Sequence, residues 1–249
     1  MNSVHRFSGG LSYCGRKENG MSAYGTKRLL DTADYPRYAH FRHFLDEAPS
    51  SISLADEVDV TALRDACRRT DSPFYLSFLY LVTRIVNAHE EFRMATVDAP
   101  DFEAPMPAVW DTVNPVHNVF HEERETYTNI VSLWRPDYDG FCRDAAEDME
   151  RARRLTIESV PCGENVFEAS CVPWRHFTAV GLSSDCLPLT PIIAWGRWRE
   201  DNGHCRMPVS IQIHHAAADG YHLARFLNEA ESEAERLADA LEKRADGRL

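Results

Sequence analysis

Residues 191–220 read PIIAWGRWREDNGHCRMPVSIQIHHAAADG. Two β-prone runs, 191–200 and 205–215, flank Asp201-Asn202-Gly203-His204. Asn-Gly between such runs marks a tight hairpin, because both residues accept the positive φ that a two-residue turn requires. In the second run Val209, Ile211 and Ile213 alternate with Ser210, Gln212 and His214, so one face of this strand belongs to the core. Residues 221–243 then have the spacing of an amphipathic closing helix.

The same reading extends towards the N-terminus. Residues 59–69 (DVTALRDACRR) place apolar side chains at helical spacing, with Thr61 as the expected N-cap. Residues 74–89 (FYLSFLYLVTRIVNAH) are apolar on most faces and predict a buried helix. RMATV (93–97) and AVWDTV (108–113) flank a Pro- and acid-rich connection and predict a second hairpin. Residues 138–157 carry the charge-rich pattern of an exposed amphipathic helix. Helices mixed with hairpin-linked strands predict an α+β fold, a two-layer sandwich of helices on a largely antiparallel or mixed sheet. No repeat or low-complexity linker interrupts it, so residues 21–249 are expected to form one domain. Residues 1–20, rich in Gly, Ser and charge, are expected to form a loosely ordered extension.

Composition excludes several partners. The net charge is −12, and Lys occurs only at 17, 27 and 243 among 27 basic residues. Nucleic acid and anionic membranes would be repelled, although a local Arg cluster can still hold a small anion. Seven cysteines (14, 67, 142, 162, 171, 186, 205) include no CxxC pair. That fits neither a disulfide framework nor a zinc site, and reduced thiols imply a cytoplasmic location. No run of about 18 apolar residues predicts a membrane span, and the first 20 residues lack the apolar centre of a secretory signal.

The chemistry concentrates at His214-His215-Ala-Ala-Ala-Asp219-Gly220, where a core strand gives way to a helix. Three Ala leave room around the polar groups, and Gly220 permits a sharp turn. A His there can have one ring nitrogen tied down and the other facing a cleft, ready to take a proton from a hydroxyl. Asp219 could orient that site directly or through an Arg. The residues alone leave other readings open: a packing histidine pair, or part of a metal site lacking its further ligands.

HHAAADGYHLARFLNE (214–229) resembles the signature of the chloramphenicol acetyltransferase family. The likeness continues in order along the chain. Tyr35-Pro-Arg37-Tyr-Ala-His40-Phe41 resembles that family's W-x-R-x-x-H-F block. FYLSFLYLVTRIVNAHEEFRMA (74–95), VWDTVNPVHNVFHEERETY (109–127), SLW (132–134) and Ser170-Cys-Val-Pro173-Trp174 resemble four further stretches. Coverage runs from about residue 28 to 240.

The resemblance implies an acetyl-CoA-dependent O-acetyltransferase that inactivates the antibiotic chloramphenicol, with no metal. His215 falls on the general base and Ser170 on the hydroxyl donor to the oxyanion. Arg37 and Asp219 fall on a structural ion pair, while His214 is expected to be a packing or interface histidine. Phe44, Tyr127, Leu182 and Ser50 fall on the apolar acceptor pocket, and Trp198 on an aromatic beside coenzyme A. The family assembles as a homotrimer with active sites at subunit boundaries. Ala194 departs from the pattern, replacing a Thr that helps hold water near the oxyanion, and residues 98–107 are longer than usual. Alternatives within the resemblance are a different hydroxyl acceptor and, in another class, a non-catalytic binder of the same ligands.

Overall fold

The Asn202-Gly203 turn forms as its residues predict, with φ of 49° and 84°. It joins β9 (Arg199–Asp201) to the long strand β10 (His204–His214). A third strand, β8 (Ile192–Gly196), continues along β10, but the register slips between them. Arg199 lies opposite Arg206, whereas Trp195 lies opposite Val209. One extra residue is therefore accommodated around Arg197 and Trp198, the geometry of a β-bulge. Pro208 suits this break. The amides of Cys205 and His215 point to the opposite side, towards Thr61 Oγ1 and the Ser50 carbonyl. By alternation, the N–H that Pro208 lacks would have faced the bulge, where the ladder has no use for it.

The structure, a computed structural model, describes residues 25–98, 104–155, 163–182 and 188–247. The expected N-terminal extension lies outside them. The remaining strands are β1 (Lys27–Leu29), β2 (Ser51–Asp59), β3 (Met94–Val97), β4 (Met106–Trp110), β5 (Asn114–His121), β6 (Thr126–Val131) and β7 (Val166–Val172). The larger sheet runs β2-β10-β8-β7-β5-β6, with β9 alongside β10. β7 is parallel to both β5 and β8, and the other pairs are antiparallel, so the sheet is mixed. The 93–113 hairpin forms as β3 and β4, which with β1 make a small antiparallel sheet.

The described helices are α1 (Tyr38–Arg42), α2 (Thr61–Thr70), α3 (Phe74–Ala88), α4 (Tyr138–Arg153) and α5 (Gly220–Ala245). They cover one face of the larger sheet: α5 lies on β2 between α2 and α3, and α4 packs on β5 and β6. The fold is thus α+β with helices layered on a mixed sheet. As its all-round apolar sequence predicts, α3 is buried along most of its length. Trp195 of β8 packs on Phe78 and Tyr75 of α3.

Two local expectations need correction. Thr61 is the first residue of α2 rather than its cap. Asp59 accepts hydrogen bonds from both the Thr61 amide (2.9 Å) and hydroxyl (2.5 Å), so the carboxylate two residues earlier satisfies the helix start. Gly220 needs no special backbone conformation, its φ lying outside the left-handed range, and a Cβ there would meet only Ile52, at 3.9 Å. Asp219 makes the turn instead: its carboxylate accepts from Tyr221 N at 3.1 Å and caps α5.

A buried polar chain crosses the core with a single consistent direction. Ser132 Oγ donates to Asp148 (2.9 Å), so it accepts from His117 Nε2 (2.9 Å). His117 Nδ1 then accepts from Tyr75 Oη (3.1 Å). Burial pushes the His117 pKa down to about 3, which keeps the ring neutral and this polarity fixed.

Candidate active site

His215 follows the last residue of β10 and is held from four sides. Its amide donates to the Ser50 carbonyl (2.8 Å), and its own carbonyl accepts from Arg37 Nη2 (3.3 Å). The Phe44 ring stacks on the imidazole, centroids 3.9 Å apart and planes within 10°. His215 Nδ1 lies 3.0 Å from the Ala218 carbonyl oxygen. A carbonyl only accepts, so Nδ1 carries the proton, and Nε2 of the neutral ring keeps its lone pair. The three alanines, each fully buried, let the chain fold back far enough for this bond.

Arg37 and Asp219 form the ion pair that the family resemblance implied. Asp219 therefore acts on His215 indirectly, through the guanidinium that also holds the His215 carbonyl. Burial tends to raise the Asp219 carboxyl, but the neighbouring His222 and Arg37 outweigh it, and the net shift is downwards. His214 is buried. Burial first, and then the neighbouring His215 imidazole, lower its pKa, and its Nδ1 accepts from Ala216 N at 3.1 Å. These are the properties of a packing histidine.

Ser170 sits elsewhere on the sheet, on the face turned away from the helices. Cross-strand register aligns it with Ala194 of β8 and then Ser210 of β10. Asn118 Nδ2 donates to Ser170 Oγ at 3.4 Å, so the hydroxyl proton remains free for another acceptor. His215 lies five residues beyond Ser210, hence about 16 Å along the strands and about 10 Å across two inter-strand spacings from Ser170. Within one chain, no single substrate atom can touch both.

The outer face around Ser170 is apolar and aromatic. Tyr127 of β6 is registered opposite Phe120 of β5, whose ring meets Trp174 edge-on at 4.6 Å. Leu182 and Trp174 are 59% and 58% exposed, an unusual amount for side chains of this size on one face. Leu182 is fixed through its backbone: Gln212 accepts from its amide (2.9 Å) and donates to its carbonyl (2.7 Å). Ser210 Oγ likewise donates to the Val180 carbonyl (3.0 Å). This crossing segment explains why Ser210 and Gln212, expected on the open face of β10, are buried.

A third region surrounds the β8–β9 bulge. Trp174, Arg175, His176, Arg197, Trp198, Arg199 and Glu200 line a cavity of about 590 Å³. Arg199 and His176 are both engaged by Glu57, whereas the guanidinium groups of Arg175 and Arg197 have no described partner. On a chain of net charge −12, this is a local concentration of positive charge beside two indoles. Trp198 faces this cavity and also packs edge-on against Phe74 at 4.8 Å. Gly196 lets the walls close: a Cβ there would lie 2.8 Å from the Arg175 carbonyl and 2.9 Å from the Phe177 ring. Gly196→Ala is accordingly expected to destabilise the protein by about 1–3 kcal/mol in denaturant titration.

A sequence model of the chloramphenicol acetyltransferase family matches residues 26–231. The chloramphenicol acetyltransferase of Streptomyces acrimycini is 38% identical over 214 residues, covering 83% of this chain and 94% of that protein. The chain belongs to the chloramphenicol acetyltransferase family. The relative from Proteus mirabilis is 32% identical, over 82% of this chain and 94% of its own length. A solved chloramphenicol acetyltransferase shares the fold with a TM-score of 0.72 at 22% identity, across 84% of this chain and 99% of that one. The cubic core of the pyruvate dehydrogenase complex shares it more distantly, with a TM-score of 0.53 at 16% identity over 81% of this chain and 86% of that one. This family member is therefore an enzyme of the acyltransferase class.

Some residues of the site escaped the sequence reading. Arg175 and Arg197 are 22 positions apart and line one cavity beside the β8–β9 bulge. Asn118 reaches Ser170 across a parallel pairing that no local signal announces. Glu168 shares a strand face with Ser170, two residues on, a relation that alternation alone gives.

Proposed function

We propose that this enzyme transfers the acetyl group of acetyl-CoA to a hydroxyl of chloramphenicol within a ternary complex. The observation that carries the mechanism is the His215 Nδ1 contact to the Ala218 carbonyl, which leaves Nε2 as the base. Nε2 takes the acceptor hydroxyl proton as that oxygen attacks the thioester carbonyl carbon. The resulting oxyanion accepts a hydrogen bond from Ser170 Oγ. The C–S bond then breaks, the sulfur recovers the proton from the imidazolium, and the acetyl ester and free CoA leave. No acetyl-enzyme forms. Phe44 and Ser50 hold the His215 ring and backbone, and Phe44, Tyr127 and Leu182 offer apolar surface to the acceptor.

The donor fits the cleft at the bulge. Arg175 and Arg197 suit phosphate groups, and Trp198 suits a purine ring. Because Ser170 and His215 are too far apart in one chain, each site is formed by two subunits of a homotrimer, with the exposed apolar face covered by a neighbour. Residues 21–249 act as one catalytic domain in the cytoplasm, consistent with the free thiols of Cys67, Cys142, Cys171 and Cys205. No described helix is long and apolar enough to cross a membrane.

The test is thiol release from acetyl-CoA with and without chloramphenicol, alongside the mass of the enzyme in solution. Drug-dependent release by a trimer is expected. A folded trimer that releases thiol only with another hydroxyl compound would replace the acceptor and leave the chemistry in place.

A further inference from the structure

Glu168 is the one acidic residue on the Ser170 face of β7. The two side chains point the same way, two residues apart, and so stand about 7 Å from each other. Register places Val116 of β5 on one side of Glu168 and Ile192 of β8 on the other. Beyond Ile192 comes Gln212, whose amide is already committed to the Leu182 backbone and the Ser51 hydroxyl. Among the described residues Glu168 has neither an ion-pair nor a hydrogen-bond partner for its carboxyl. Glu168 is an exposed residue whose cross-strand neighbours on this face are aliphatic, and partial desolvation raises its pKa. Among the described residues no contact uses its carboxyl. Its backbone amide is satisfied by the Pro191 carbonyl, and Val or Ile would suit both the strand and the neighbours. What it offers is an unused anionic acceptor within one ligand length of Ser170.

We propose that Glu168 is a specificity-determining residue of the acceptor site: chloramphenicol is accepted, but among hydroxyl compounds of that scaffold Glu168 favours those that carry a cationic nitrogen within about 7 Å of the reacting oxygen. This rests on the acetyl-transfer reading above, which supplies the position of the reacting oxygen beside Ser170. The aromatic surface of Phe120, Tyr127 and Trp174 would hold the body of the acceptor, and the carboxylate would hold its ammonium group.

The experiment compares two acceptors with one scaffold: chloramphenicol, which is neutral, and the corresponding nitrophenyl diol bearing a dimethylamino group in place of the amide. A tertiary amine cannot itself become a stable acetamide, so any product is the ester. The ratio of kcat/KM for the cationic over the neutral acceptor is expected to fall roughly tenfold in Glu168→Gln. Glu168→Asp, which keeps the charge, should retain most of the preference, and trimer mass is checked for each variant. A ratio unchanged in Glu168→Gln, with the wild type active on chloramphenicol, would overturn the role of Glu168 alone. Equal loss with both acceptors in a trimeric variant would do the same. A wild type that acetylates neither compound would remove both this inference and the acetyl-transfer reading.

Discussion

Replacing His215 with Ala is expected to lower kcat for acetyl transfer roughly 10²- to 10⁴-fold, the range of a well-placed general base. KM for either substrate should change far less, because the proton moves only as the transition state forms. The structure makes this prediction specific. The Ala218 carbonyl fixes the Nδ1 proton, the Phe44 ring fixes the imidazole plane, and Arg37 fixes the backbone through the His215 carbonyl. Three independent constraints on one ring imply that its position matters. The variant removes a half-buried side chain stacked on Phe44, so its folding must be checked by circular dichroism and solution mass. A folded variant with more than about a tenth of wild-type kcat would remove His215 from the role of base.

The elements that the sequence predicted are those whose signals are local. Asn202-Gly203 announces its hairpin because few residue pairs tolerate two consecutive positive φ values. α3 shows itself through a run apolar on most faces and α5 through apolar spacing, both of which the core then enforces. Arg37 and Asp219, 182 positions apart, were paired only through the family resemblance, and the structure joins them. What stayed hidden depends on register. The parallel pairings of β7 with β5 and β8 decide what surrounds Ser170, and no turn residue encodes them. The bulge at Arg197–Trp198 is equally silent, apart from Pro208, whose missing donor makes sense only once its partner strand is known. The capping assignment failed for a related reason: Thr61 and Asp59 are both good caps, and tertiary contact with Cys205 N decides between them.

Ser170→Ala is expected to cost roughly 10²- to 10³-fold in kcat, as loss of one oxyanion donor does, again with little change in KM. On its own that would show a role for Ser170 without showing where the site is. The sheet register sharpens the question, since it separates Ser170 from His215 by two strands and five residues along β10. On the proposed reading, two chains bring them together. Each variant alone should therefore be nearly inactive, yet a mixture refolded together should not be. In a cyclic trimer every site pairs the His of one subunit with the Ser of its neighbour. Random assembly of His215→Ala with Ser170→Ala chains then restores about a quarter of the sites, those with an intact His facing an intact Ser. Activity of the co-refolded mixture near a quarter of wild type, against almost none when the separately refolded proteins are simply combined, is the expected result. If both residues served the same site within one chain, every site in the mixture would lack one of them, and co-refolding would restore nothing.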